Sequence, residues 1–205
     1  MSILYVGTKS ASRRMLLDQA QIPYTLVQQE ADESVCKLSD NLQERVTAIA
    51  LQKMDHVILP KGKDSEQCFV LTADTLSQDK TGAISGKPEN RQEAISMIKA
   101  ARDGMYTGTA FCLDRKIWKE NSWHIDERVV QFVAAEYIFN IPDEWIEIYF
   151  EKSIALNASG AIAIEDFGMQ FLKIINGSYS GLVGLPMYEL REALEELNFF
   201  SFVKK

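Results

Sequence analysis

The sequence has few of the residues that build cross-linked or metal-clustered proteins. Its three cysteines, Cys36, Cys68 and Cys112, show no CxxC spacing, so neither a disulfide framework nor a structural zinc site is indicated. Its two histidines, His56 and His124, lack partners in their patterns, and we expect neither to be catalytic. No apolar run reaches membrane-spanning length, and the first residues lack a basic segment followed by a long apolar one. We therefore expect a soluble protein of the reducing cytoplasm.

Positive charge is also scarce. The chain has 22 Lys and Arg against 29 Asp and Glu, a formal net charge of -7, which disfavours a general nucleic-acid or anionic membrane surface. A local group of arginines can still bind one anion, so the net charge does not exclude a small phosphate-bearing ligand. At 205 residues, with 46% hydrophobic and 25% charged residues, the chain is long enough for one sizeable core or two small lobes.

Residues 69–76 predict a short buried strand that ends on the carboxylate of Asp74. Turn residues at 78–82 could fold the chain back and bring Lys87 towards this carboxylate. An acid and a cation near a Gly-Pro corner suit a phosphate-and-metal site. The alternative is a purely structural segment, made of a strand, a hairpin and a helix start with ordinary surface charges. These residues alone do not distinguish a phosphate-and-metal site from such a segment.

The N-terminal residues predict a strand at 3–6, a small-residue loop and then a helix. Such a loop and first helical turn carry unpaired N–H groups at the positive end of the helix dipole, which suits an anion. Ser10 or Ser12 can cap the helix. Arg13 and Arg14 in the first turn oppose the dipole preference, so we expect an anion to compensate them; two solvated arginines are the alternative.

Carboxylates and one lysine elsewhere in the chain are further candidates. Glu33 closes an acidic group after a predicted strand at 22–27 and could bind Mg²⁺ with Asp74, although such a cluster is more often a solvated loop. Lys53 follows Ala50 at helical spacing in a predicted helix over 41–54, where it either extends to solvent or reaches into a cleft. Glu165 lies in a small-residue stretch at 158–168 that permits close approach of a ligand.

The rest of the chain continues to alternate between helix and strand patterns. In order, the sequence predicts a helix opened by the capping pair Asn90 and Glu93, an antiparallel ribbon of strands at 105–118 and 123–139, a helix at 143–150 after Pro142, a buried strand at 171–175, a glycine-rich loop, and a last helix starting at Pro186.

Taken together, these stretches resemble the Maf family of nucleoside triphosphate pyrophosphatases over nearly the whole chain. The first loop and helix are similar to the family's Ser-x-Ser-(x)-x-Arg-Arg signature, with Thr8 in place of the first serine. The other matches, in chain order, are Asp32-Glu33 with an Asp-Glu pair, Ala50 to Lys53 with Ala-x-x-Lys, Ala73-Asp74-Thr75 with Gly-Ala-Asp-Thr, Gly86-Lys87-Pro88 with Gly-Lys-Pro, and Gly184-Leu185-Pro186 with a terminal Gly-Leu-Pro.

The resemblance implies one α/β domain over residues 1–205, with an elongated mixed sheet and helices in two lobes around a central cleft, as in inosine triphosphate pyrophosphatases. It implies metal-dependent hydrolysis of a nucleoside triphosphate to a nucleoside monophosphate and pyrophosphate. The implied metal ion is Mg²⁺ or Mn²⁺. It also implies a homodimer and a link to septum formation. The implied catalytic residues are Glu33, Lys87 and Asp74, of which Asp74 is the general base. Asp74 and Glu33 are also the implied metal ligands. The implied substrate-binding residues are Ser10, Arg13, Arg14, Lys53, Thr75 and Glu165.

Some residues depart from the family pattern. Residues 157–160 read Asn-Ala-Ser-Gly where Asp-Lys-Ala-Gly is usual, and Ile162 replaces a tyrosine. Glu165 and the spacing of the first loop resemble the subgroup that acts on 7-methyl-GTP and CTP, whereas Thr75 resembles the dTTP and UTP subgroup; we expect the 7-methyl-GTP type. The altered loop also motivates an alternative, a catalytically weakened nucleotide-binding regulator of cell division. A nucleic-acid-binding module is disfavoured by the acidic balance.

Overall fold

A computed structural model of the chain describes residues 3–33, 36 and 39–200. Its strands form one mixed sheet in the order β2-β1-β3-β5-β6-β7, with β4 paired to β3. The first three strands in that order are mutually parallel, and the remaining pairings are antiparallel. The strands are β1 (Leu4–Val6), β2 (Thr25–Leu26), β3 (Gln67–Asp79), β4 (Ile84–Ser85), β5 (Met105–Lys119), β6 (Ser122–Phe139) and β7 (Leu172–Gly177).

Several helices begin where the sequence supplies a capping side chain. The side chains of Ser10, Asn41 and Asn90 each accept a hydrogen bond from the backbone N–H three residues on, which satisfies one donor that the first turn would leave unpaired. The helices are α1 (Ala11–Gln19), α2 (Leu42–Asp55), α3 (Arg91–Ala100), α4 (Ile146–Lys152), α5 (Tyr179–Val183) and α6 (Met187–Glu196), with short 3-10 turns before and after α4.

Strand β3 does not end on the carboxylate of Asp74, so that prediction is wrong. The strand continues to Asp79 and pairs with β5 along its whole length. Polar side chains are compatible with this extension because they bond to each other across the two strands. The hydroxyl of Thr75 lies 2.8 Å from that of Thr109, and other hydroxyls pair in the same way further along.

The last strand also differs from its prediction. Strand β7 lies at the edge of the sheet, and Ile174 is 51% exposed, so the expected buried strand at 171–175 is wrong. Its one strand neighbour in the described chain is β6, which leaves an apolar strand only partly covered. The strand predicted at 22–27 is limited to the two residues of β2.

The core lies on both faces of the sheet. Leu17 of α1 and Leu194 of α6 form one apolar cluster with Leu71 of β3, and α2 packs on the opposite face, where it shares a cluster with Val70. Alternate residues of a strand point to opposite faces, so a strand covered on both sides is apolar at nearly every position. A third apolar cluster joins α3 and α4 to the far ends of β5 and β6.

The mixed α/β fold is confirmed, whereas the division into two lobes stays a prediction. Among the helices that the structure describes, none combines the length and apolarity needed to cross a bilayer.

Candidate functional site

The candidate site lies along a stretch of β3 edge between two strand partners. Strand β1 pairs with β3 as far as Leu71, and β4 pairs with it from Ser77 onwards. Between these pairings, residues 73–76 border a cavity of about 650 Å³. In the part of the chain that the structure describes, this edge of β3 therefore faces a cavity where another strand would otherwise lie.

A buried lysine holds two carboxylates at this cavity. The Nζ atom of Lys53, from helix α2, lies 2.6 Å from Oδ1 of Asp74 and 3.1 Å from Oε1 of Glu33. The side chains of Lys53 and Asp74 are each 10% exposed, whereas that of Glu33 is 50% exposed. Lys53 thus reaches into the cleft, which was one of its two sequence interpretations. The arrangement places a cation and two anions within one hydrogen-bonded group.

Arg13 of helix α1 is the second buried cation. Its Nε donates to the carbonyl oxygen of Gly184 at 2.7 Å, and one Nη donates to Oγ1 of Thr75 at 2.8 Å. Burial lowers the pKa of the Arg13 guanidinium, and the nearby charges of Asp74 and Glu33 act in the opposite direction. A guanidinium nevertheless stays protonated in proteins, so a fixed positive charge faces the cavity.

The loop before α1 contributes hydroxyl and backbone groups. Ser10 caps the helix by accepting from the N–H of Arg13 at 3.3 Å, and its own N–H donates to the hydroxyl of Thr8. Ser12 does not cap the helix; its hydroxyl donates to Oε1 of Glu165 at 2.7 Å. All these residues line the cavity, so the helix N-terminus and a buried carboxylate share one wall.

A further part of the cavity lining comes from two segments that bond to each other. The N–H of Gly160 donates to the carbonyl of Gly86 at 2.9 Å, next to the exposed side chain of Lys87. Gly160 has φ +63°, and a Cβ there would lie 2.9 Å from the Ser77 hydroxyl, so this position requires glycine. The first three residues of the Asn-Ala-Ser-Gly loop that departs from the family pattern line the cavity, and Ser159 bonds to the Ser77 hydroxyl.

Arg14 is the one candidate that the structure leaves away from this cavity. It lies on another side of α1, where it borders a shallow depression with Asp18 and Tyr24. Successive helical residues point about 100° apart, and the step from Arg13 to Arg14 turns the Arg14 side chain away from the cavity. The candidates that do line the cavity are Ser10, Arg13, Glu33, Lys53, Asp74, Thr75, Lys87 and Glu165.

The sequence interpretation missed several residues that also line the cavity. Lys9 directly precedes Ser10, which was a usable signal, and Ser12 was considered only as a helix cap. Ser159 lies in the small-residue stretch at 158–168, which was a usable signal, whereas no local pattern points to Thr107. The two histidines do not line the cavity and are exposed, and each makes a local hydrogen bond, His56 with the carbonyl of Gln52 and His124 with the hydroxyl of Ser122.

A family model described as Maf-like protein matches residues 3–197 of the chain. The chain belongs to the Maf family. This Maf chain is 30% identical over 199 residues to a dTTP/UTP pyrophosphatase of Hydrogenovibrio crunogenus, with 97% of each chain covered. It is 30% identical over 207 residues to a dTTP/UTP pyrophosphatase of Acholeplasma laidlawii, with 99% of each covered. It is 29% identical over 206 residues to a nucleoside triphosphate pyrophosphatase of Prochlorococcus marinus, covering 95% of this chain and 97% of the relative.

The Maf chain offers oxygen atoms as its candidate metal ligands. In the described residues, no three or more His, Cys, Asp and Glu side chains form a group able to hold a metal ion by themselves. Glu33 and Asp74 nevertheless place two carboxylates around one ammonium group in the cavity. Mg²⁺ in nucleotide enzymes is usually bound by one or two carboxylates together with substrate phosphates, so this pair fits a metal that arrives with its substrate.

Proposed function

We propose that this chain hydrolyses a nucleoside triphosphate to a nucleoside monophosphate and pyrophosphate. The observation that carries the proposal is the buried Lys53 between Asp74 and Glu33, in a cavity that Arg13 and the start of α1 also face. Membership of the Maf family and the activities named for full-length relatives support it. The cavity volume falls in the range of small-molecule sites.

The triphosphate would lie against the start of α1 and the cationic side chains. Ser10 and the first-turn N–H groups suit phosphate oxygens because the dipole is positive there. Arg13 presents further N–H groups beyond the two that bond to the protein, in a planar fork that matches phosphate geometry. Lys87, exposed at the cavity wall, would offset charge that develops on the leaving pyrophosphate.

Charge balance supports a requirement for Mg²⁺ or Mn²⁺. The charged side chains that line the cavity are equal in number for each sign, namely Lys9, Arg13, Lys53 and Lys87 against Glu30, Glu33, Asp74 and Glu165. The protein therefore offers no net positive charge to a strongly anionic triphosphate. Asp74 and Glu33 would supply oxygen ligands to a divalent cation together with substrate phosphates. Such an ion, when bound, polarises phosphoryl oxygens and lowers the pKa of a coordinated water.

Asp74 would act as the general base. Its Oδ1 accepts a hydrogen bond from Lys53, which fixes the orientation of the carboxylate. We propose that Oδ2 accepts the proton of the water that attacks the phosphorus. Thr75, the next residue, holds Arg13 in place, so the base and a phosphate-binding group are set by one strand.

Two substrate classes compete. The names of the relatives favour dTTP and UTP. The carboxylate of Glu165 favours 7-methyl-GTP, because the methylated base carries a positive charge that an acidic group would stabilise. Glu165 is buried at the cavity and accepts from Ser12 with one oxygen, so a Glu165→Gln variant would keep this bond and remove the charge.

A pyrophosphate-release assay tests the proposal. The panel contains dTTP, UTP, CTP, GTP and 7-methyl-GTP, each with Mg²⁺, with Mn²⁺ and with a chelator. We expect turnover of at least one triphosphate that stops when the chelator is added, and Glu165→Gln to lower the rate on 7-methyl-GTP relative to dTTP. No turnover on any triphosphate, with a nucleotide still bound, would overturn the enzyme proposal and favour the division regulator.

A homodimer, a cytoplasmic location and a link to septum formation also remain predictions from the family resemblance. Light scattering at several protein concentrations would test the dimer. A chain that stays monomeric across the range used in the assay would exclude a dimer from the catalytic unit.

A further inference from the structure

A line of hydrogen bonds joins Arg13 to helix α5 through two threonines. An Nη of Arg13 lies 2.8 Å from Oγ1 of Thr75, which lies 2.8 Å from Oγ1 of Thr109. That hydroxyl in turn lies 2.8 Å from the carbonyl oxygen of Gly181. The Nε of Arg13 binds the carbonyl of Gly184 directly, so both ends of the line meet the same short segment.

The direction of every bond in this line is determined. The carbonyl of Gly181 can only accept, so the single hydroxyl proton of Thr109 points to it. Thr109 must then accept the hydroxyl proton of Thr75. Arg13 can only donate, and Thr75 accepts its N–H. With each proton committed, neither hydroxyl can reverse without leaving a donor or an acceptor unpaired.

Thr109 lies behind the site and does not line the cavity. It is fully buried, at 0% exposed, and directly faces Thr75 in the pairing of β3 with β5. A buried hydroxyl with both its roles satisfied has little freedom to turn. The guanidinium is planar, so two fixed N–H bonds, to Thr75 and to Gly184, define the plane of its remaining N–H groups.

We propose that Thr109 is a positioning residue for phosphate binding. Its hydroxyl fixes the direction of the Thr75 hydroxyl, which fixes the plane of Arg13 towards the triphosphate. The inference rests on the proposed function for the identity of the ligand, although pyrophosphate alone is sufficient to test it. Without the Thr109 hydroxyl, the Thr75 proton loses its acceptor, so the lone pairs of Thr75 Oγ1 no longer have a fixed direction and the bond that orients the Nη of Arg13 weakens.

The experiment compares three variants. Thr109→Val removes the hydroxyl at nearly constant volume, and Thr109→Ser keeps it. Thr72→Val is the matched control, because Thr72 is also a buried threonine, 1% exposed, whose hydroxyl donates to a backbone carbonyl at 2.8 Å, that of Ala50. The readouts are calorimetric binding of pyrophosphate with Mg²⁺, kcat and KM for the triphosphate that the parent turns over, and the melting temperature.

For Thr109→Val we expect weaker pyrophosphate binding and lower kcat/KM, each by about tenfold to a hundredfold, because a misplaced binding group has effects of this size. Thr109→Ser should bind pyrophosphate within a few-fold of the parent, about a factor of three. Thr72→Val should have a melting temperature reduced to a similar extent as that of Thr109→Val, because each loses one buried hydrogen bond, but it should bind pyrophosphate like the parent. Substrate turnover by the parent tests the proposed function separately from these comparisons.

Three outcomes overturn the inference: parent-like pyrophosphate binding by a folded Thr109→Val, equal impairment of the Val and Ser variants, or equal impairment of Thr72→Val. If Thr109→Val does not fold, Thr75→Val removes the middle hydroxyl at a less buried position. Parent-like pyrophosphate binding by that variant would also overturn the inference.

Discussion

Replacing Asp74 by asparagine tests the proposed general base most directly. The change removes a negative charge at constant shape from a carboxylate that lies 2.6 Å from the Nζ of Lys53. General-base catalysis contributes about 10²–10⁴ in rate, so we expect kcat to fall by a factor in that range. At a Mg²⁺ concentration that saturates both proteins, KM should change much less, because Arg13 and the start of α1 keep their places in the cavity.

The effect of this substitution on stability follows from the partners of Lys53. Removing one partner of a buried ion pair typically destabilises a protein by about 3–5 kcal/mol. Here Lys53 keeps Glu33 at 3.1 Å, and the asparagine oxygen can still accept a hydrogen bond. Since Glu33 is half exposed and screened by solvent, we expect a smaller loss of about 1–3 kcal/mol in the free energy of unfolding.

Asp114 supplies the matched control. It is a fully buried carboxylate on β5, outside the cavity lining, with Arg128 Nε at 2.6 Å and Lys116 Nζ at 3.2 Å. Asp114→Asn should lower stability at least as much as Asp74→Asn while leaving kcat near that of the parent. Pyrophosphate release at saturating substrate and urea unfolding measure the two effects. An Asp74→Asn variant with parental kcat, or an Asp114→Asn variant that folds and loses kcat equally, would refute the reasoning.

Three further predictions concern metal binding, backbone conformation and pH. Glu33→Gln should raise the Mg²⁺ concentration for half-maximal activity by about tenfold or more, since it removes a charged ligand; a metal titration checks this. Gly184→Ala should lower the free energy of unfolding by more than about 1 kcal/mol in urea, because φ there is +130°. Burial raises the pKa of Cys68 and Cys112 to about 12, whereas thiols in the unfolded state have pKa values of about 8.5. Between these two pH values the folded state keeps thiol protons that the unfolded state has lost. Stability should therefore fall as pH rises above about 8.5, and iodoacetamide should label both thiols only on unfolding; rapid labelling of the native protein would contradict this.

Local chemistry explains what the sequence predicted well. The starts of α1, α2 and α3 depend on capping contacts within three residues, so Ser10, Asn41 and Asn90 are informative without any tertiary contact. The long ribbon of β5 and β6 is similarly marked by apolar alternation around a short turn. The roles assigned to the site residues came from the family resemblance, and their placement in one cavity required the tertiary structure.

Long-range contacts explain what the sequence could not predict. Strand β3 was expected to end at Asp74 because a carboxylate is unusual inside a buried strand, and the lysine that neutralises it comes from another element. The hydroxyl line through Thr109 depends on a partner 34 residues away in sequence. Arg14 has the same local pattern as Arg13 and differs only in the direction in which the helix turns it.

The two halves of the site depend on a single strand register. Asp74 points to the face of the sheet covered by α2 and meets Lys53, whereas Thr75 points to the opposite face and meets Arg13 of α1. A slip of one residue would exchange these two side chains between the faces and break both contacts. The ladder with β5 continues from Gln67 to Asp79, well beyond the site in both directions, and it opposes such a slip along its whole length. The extension of β3 past Asp74 therefore does more than continue the sheet, since it fixes which face presents the proposed base and which holds the phosphate-binding arginine.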